Sequence, residues 1–176
     1  MKKTVLIFGS VVGAIMCVNL FVMVNKMYGD PDFKANDFLG YTAMVLMFSL
    51  IFVGVRNYRN KESGGAISFA KAFKVGALIA LISATLYVVI WLFYYYLFVP
   101  DFIDVYTKHV LKQFADKPAE LATKTVEMAE FKQNYKNPVF VILITYMEVL
   151  PVALVVALVS ALLLKRKPND VREQIS

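Results

Sequence analysis

An all-α membrane protein with four spanning helices is the fold class this sequence predicts, and three observations predict it. Of the 176 residues, 59% are hydrophobic and only 18% charged, where a soluble domain carries about 25% charged. The apolar residues gather into four long runs almost free of ionisable side chains. Each run is close to or above the ~20 residues a helix needs to cross a hydrocarbon core of about 30 Å. A helix is also the form in which one segment pairs its own backbone groups away from water.

The first run is Thr4 to Asn25, with Cys17 as its one titratable side chain. Lys2 and Lys3 in front of it resemble the start of a secretory signal. The run is nevertheless longer than the roughly 7 to 15 residues of a signal core, and it has no small-x-small cleavage site, so a retained helix is expected. The second run, Phe38 to Val55, is the shortest at 18 residues and is closed by Arg56. The third, Val75 to Val99, lies between Lys74 and Pro100-Asp101. The fourth, Val139 to Leu164, lies between Asn137-Pro138 and Lys165-Arg166-Lys167, and it alone holds an acid, Glu148. The chain is expected to be a single integral membrane domain over 1–176.

Orientation follows from the basic residues, because short loops rich in Lys and Arg stay cytoplasmic. Four spans place both termini and the loop between spans two and three on one side. That side carries eleven Lys and Arg, among them Arg56, Arg59, Lys71, Lys74 and Arg172, against the acids Glu62, Asp170 and Glu173. The opposite side carries eight Lys against nine acids. Both termini are therefore expected in the cytoplasm. The same asymmetry accounts for the pI near 9.3 without nucleic acid, which is not an expected partner.

Between spans three and four, Asp101 to Asn137 balances six acids with six Lys and reads as an extracytoplasmic pair of helices. Ile103, Tyr106, Val110 and Phe114 recur at helical spacing, as do Leu121, Thr125, Met128 and Phe131 after Pro118, with Asp116 as an N-cap. These faces are expected to pack on one another and on protruding span ends, and the alternative is a cap that binds a partner. On the cytoplasmic side, Gly64-Gly65 breaks any helix. Ile67, Ala70 and Phe73 against Lys71 and Lys74 then form a short amphipathic lead-in to span three. Arg56, Arg59, Lys71 and Lys74 are expected at lipid headgroups; the phosphate-loop spacing of glycines and lysine is absent.

Gly54-Val55-Arg56-Asn57-Tyr58-Arg59, Gly64-Gly65-Ala66-Ile67-Ser68-Phe69, Ala72-Phe73-Lys74-Val75-Gly76 and Leu158 to Arg166 together resemble the bacterial four-span family catalogued as domain of unknown function 4199. The resemblance implies a bacterial inner-membrane protein. It brings no catalytic residue or activity with it.

In lipid, helices associate by close packing, so small residues four apart mark faces where backbones approach. Gly9, Gly13 and Cys17 form such a ridge in span one, Gly76, Ala80 and Ala84 in span three, and Ala153, Ala157 and Ala161 in span four. Spans one, three and four are expected at the tight centre, or in a homodimer contact, with span two at the edge.

Glu148 is the residue whose cost demands an explanation. It lies 17 residues before Lys165, a height of about 25 Å at 1.5 Å per residue. The same count from Lys74 reaches Trp91, from Lys3 reaches Leu20 beside Asn19, and from Arg56 backwards reaches Leu39 near Tyr41 and Thr42. A polar layer in the outer leaflet is expected, with Glu148 bonded to some of Asn19, Tyr41, Thr42 and Trp91, and with Pro151 loosening the helix beside it.

A lone cysteine excludes an internal disulfide and a cysteine metal cluster, and a single histidine, His109, flanked by Lys108 and Lys112, argues against a metal site. No cofactor is expected and enzyme is the least expected class. The leading expectation is a non-enzymatic accessory or assembly component in contact with membrane lipids and binding another membrane protein. The competing one is a small oligomeric transporter or channel built around Glu148.

Overall fold

A computed structural model describes residues 1–34 and 36–166. Among these residues seven helices run in the order α1 (Lys2–Gly29), α2 (Asp37–Phe48), α3 (Leu50–Glu62), α4 (Phe69–Leu97), α5 (Phe102–Gln113), α6 (Pro118–Asn134) and α7 (Pro138–Leu164). Among the described residues four helical stretches are long and apolar enough to cross a membrane: α1, the combined α2–α3 stretch Phe38–Glu62, α4 and α7. The fold class is therefore all-α and polytopic, with α5 and α6 as the helical segment between the third and fourth spans. Lys167, Asp170, Arg172 and Glu173, used above in the charge count, lie outside the described residues.

Local chemistry sets the helix boundaries. The side chains of Asn36, Ser68 and Asn137 accept hydrogen bonds from the backbone N–H groups of Leu39, Lys71 and Val139, covering donors that the first turn leaves unpaired. Gly64 and Gly65 take φ of 64° and 83°, and the N–H of Gly65 returns to the carbonyl of Arg59 at 2.9 Å, which ends α3 where glycine can turn left-handed. Asp116 does not cap α6: Lys117 holds that position with no side-chain cap bond, and Pro118 at the first turn needs no donor partner of its own.

Two boundaries depart from expectation. The second span does not stop at Val55 but continues as helix to Glu62, so Arg56, Arg59 and Lys61 ride on a helical extension instead of a loop. The interruption within this span comes at Ser49, whose hydroxyl donates to the carbonyl of Leu46 at 2.6 Å. Likewise, the amphipathic lead-in is the first turn of α4 itself, continuous with span three, where the rings of Phe69 and Phe73 stack at 6.2 Å.

The tightest packing is α1 on α4 and α4 on α7. A Cβ added at Gly9 would fall 2.7 Å from the side chain of Ile82, one at Gly13 2.8 Å from Leu86, and one at Gly76 3.0 Å from the Cβ of Ala157. Ala80, Ala84, Ala153, Ala157 and Ala161 are fully buried. The hydroxyl of Ser83 lies 2.8 Å from the carbonyl of Ile79 on its own helix and 3.1 Å from that of Gly9 across the interface. Backbones approach this closely because the side chains between them are small, which is how helices gain contact in lipid.

Span two is not wholly peripheral. Phe48, Ile51 and Val55 are completely buried, and a Cβ at Gly54 would lie 2.7 Å from Ile79. The α3 half is packed against α1, α4 and α7, while the α2 half keeps Phe38, Leu39 and Leu46 on the outside.

The two ends of the bundle are tied differently. At the end holding the amino terminus, the terminal ammonium of Met1 and the hydroxyl of Thr4 both bond to Glu62. There Ile67 and Arg166 also exchange a pair of backbone hydrogen bonds of 3.0 and 2.9 Å. At the opposite end α5 is fastened to the α1 terminus by Tyr28 to Asp101 at 2.8 Å and His109 to the carbonyl of Met27 at 3.0 Å.

Candidate functional site

The helices separate at the α5–α6 end and leave a cavity of about 440 Å³ between α1, α2, α4 and α7, roofed by α5 and α6. Its walls follow from helical spacing. Leu20, Val24 and Met27 project from one face of α1, Tyr87 and Trp91 from one face of α4, and Ile144, Thr145 and Glu148 from one face of α7. Phe102, Tyr106 and Phe131 close it from α5 and α6, and Tyr135 from the junction of α6 and α7. Leu20, Val24, Trp91 and Tyr135 are buried. Tyr41 and Glu148, and likewise Met23 and Asn36, are exposed, so the cavity is open to the surface of the bundle.

Three members of the expected polar layer, Glu148, Tyr41 and Trp91, share this cavity, and two do not. Asn19 is partly buried one residue away from Leu20, off the cavity-facing side of α1. Thr42 is exposed and donates its hydroxyl to the carbonyl of Phe38 on its own helix at 2.7 Å. Trp91 does not bond to the acid: its indole N–H donates to the hydroxyl of Tyr135 at 2.9 Å. Tyr95, Phe131 and Phe140 surround that hydroxyl-bearing ring at 5.2 to 6.4 Å between centroids. Glu148 shares the cavity wall with the phenols of Tyr87 and Tyr135. Pro151 sits inside an unbroken α7, one turn beyond Met147.

Tyr135 and Tyr87 are the participants that sequence reasoning missed. Tyr87 stands one turn before Trp91 on the same face, a signal that spacing contained. Tyr135 lies in a polar stretch, and its return to the bundle depends on the α6–α7 turn.

The outer rim is held by charge. Lys112 of α5 pairs with Asp32 at 2.6 Å and donates to the carbonyl of Pro31 at 3.0 Å. The hydrogen bond that Lys112 donates to the Asp32 carboxylate, with the lysine charge, holds that carboxyl below its ordinary value of 3.8. Asp104 of α5 pairs with Lys132 of α6. His109 stacks edge-on with Phe33 at 5.7 Å, and among the described residues no three His, Cys, Asp or Glu side chains converge in a way that could hold a metal ion. Cys17 is buried in the α1 ridge. Of the predicted headgroup residues, Arg56, Lys71 and Lys74 are exposed at the other end. Lys71 lies over the Tyr58 ring at 5.5 Å, and Arg59 reaches the carbonyl of Leu164 at 3.4 Å.

Fold and site together define a polytopic α-helical membrane protein with a cavity at one end of its bundle. The model of the family described as Protein of unknown function (DUF4199) matches residues 7–166, and the chain belongs to that family. Searches of curated proteins and of solved structures find no match.

Proposed function

We propose that this chain is a non-enzymatic accessory or assembly component of a bacterial inner membrane, with both termini cytoplasmic, that engages another membrane protein. The division of its buried surface carries this reading. The half of the bundle around Val12, Ile51, Ile79 and Val149 is sealed. The other half includes α6, a 17-residue helix with no buried residue, and α2, which leaves Phe38, Leu39 and Leu46 at 78%, 62% and 67% exposure. A helix with no buried residue, and one that leaves three large apolar side chains outside, are available to a neighbour, and a lipid-level face such as that of α2 suits a membrane-embedded one. Affinity purification in mild detergent followed by mass spectrometry tests it: a stoichiometric membrane protein should co-purify, and Leu39→Ala with Leu46→Ala should release it. Purification of this chain alone at native expression levels would overturn the reading.

The second reading, a small transporter or channel, is favoured by one observation, the acid in the cavity wall. Directly beyond the cavity, Phe48, Ile51, Ile79 and Val149 fill the space with no exposure, so a single copy offers no continuous polar path and an oligomer would have to supply one. Glu148-dependent cation flux in liposomes holding the purified protein would decide for transport.

A further inference from the structure

The cavity described above has a composition more selective than its volume. Eight of its eighteen wall residues are aromatic, against 14% of the whole chain. Glu148 is the one carboxylate on the walls among the described residues, and no Lys or Arg stands there although the chain has nineteen. A ring attracts a cation over its face and not at its edge, so rings that turn a face to the space favour a cation over a neutral molecule and disfavour an anion. A carboxylate beside them adds to the same preference. The effect is larger at the level of the bilayer than in water, because attraction between charges grows as the local dielectric falls.

The shape points the same way. Tyr41 and Glu148 are exposed wall residues carried by two spanning helices, so the cavity can be reached at the surface of the bundle. Leu20, Val24 and Trp91 form a buried apolar back wall. An occupant therefore meets aromatic and aliphatic surface for its body and a single acid for its charge.

From these observations we propose that the cavity binds an organic cation, an ammonium group carried on an apolar body, with the charge beside Glu148 and the body among Tyr87, Trp91, Tyr106, Phe131 and Tyr135. This assignment does not depend on the accessory reading. Its chemistry is met by a membrane-soluble amine and equally by the amine headgroup of a phospholipid.

Trp91 is the sole tryptophan of the chain, which makes the cavity its own reporter. The full-length protein in nanodiscs of phosphatidylglycerol is titrated with benzyltrimethylammonium, and in parallel with neopentylbenzene, its uncharged carbon isostere, while Trp91 emission is followed. The cation should give a saturable change, the isostere should bind about tenfold or more weakly, and Glu148→Gln should weaken the cation by about tenfold without altering thermal stability. Adding phosphatidylethanolamine to the discs separates the sources: competition with the probe assigns the site to a lipid amine, and unchanged probe affinity assigns it to a freely diffusing one. No saturable change, equal binding of the isostere, or full affinity in Glu148→Gln would each overturn the proposal. Tyr87→Leu supplies a second variant, expected to weaken the cation more than the isostere; equal losses would also count against it.

Discussion

The indole N–H of Trp91 and the hydroxyl of Tyr135 form a buried 2.9 Å hydrogen bond that joins the third span to the turn between α6 and α7. Tyr135→Phe keeps the ring contacts and leaves a buried N–H without its acceptor, so a loss of about 1–3 kcal/mol is expected. Thermal unfolding in detergent measures the loss, and the Trp91 emission maximum should move to the blue at the same time. A variant of unchanged stability would show that water replaces the phenol there.

The small-residue ridges give a second expectation. Gly13→Leu forces a side chain into Leu86, already 2.8 Å from where a Cβ would stand, and Ala157→Leu does the same against Gly76. Each should cost toward the upper end of about 1–3 kcal/mol, while Met47→Leu, which conserves volume at a half-buried position, should stay under about 1.5 kcal/mol. Similar melting temperatures for all three would make the ridges incidental.

What could be read in advance divides along a physical line. Gly9, Gly13, Gly76 and Ala157 report on packing through spacing along one helix, which the sequence displays directly. Gly54 has Leu50 and Tyr58 four residues to either side, so no ridge of small residues marked it, and its close approach to Ile79 is a property of two helices. The counting of residues from basic anchors found the right level for Glu148, Trp91 and Tyr41 but could not find direction. Each residue turns a helix by about 100° at 3.6 residues per turn, so Asn19 and Thr42, one step from Leu20 and Tyr41, share the level and miss the cavity. The rotation of each helix is fixed by its neighbours.

Orientation is tested by reporters. A reporter inserted at Ser63–Gly65 should read cytoplasmic, and one near Lys117 extracytoplasmic, because the basic excess lies at the end that holds Arg56, Arg59, Lys71 and Lys74. A cytoplasmic reading at Lys117 would reverse the assignment.

The rim should respond to acid. The Asp32 carboxyl is held below its ordinary value of 3.8 by Lys112, so the pairing contributes in full above that value and is lost as pH falls through the lower, folded one. Hydrogen exchange at Phe33, adjacent to the pair, should therefore stay flat from neutral pH to about 4, once corrected for intrinsic rates, and rise below it. Lys112→Met should remove the step. High salt should weaken it as well, since both partners are exposed.

The two backbone hydrogen bonds between Ile67 and Arg166 also impose an order in time. Ile67 leaves the ribosome about a hundred residues before its partner, on the segment that joins the second and third spans. Until Arg166 has been synthesised and the last span has turned back, the N–H and carbonyl of Ile67 have only water or lipid headgroups to bond. This end of the bundle thus completes last, however early its first helices enter the bilayer, and translation of the final turn of α7 acts as the latch on a structure otherwise assembled from the other end of the chain.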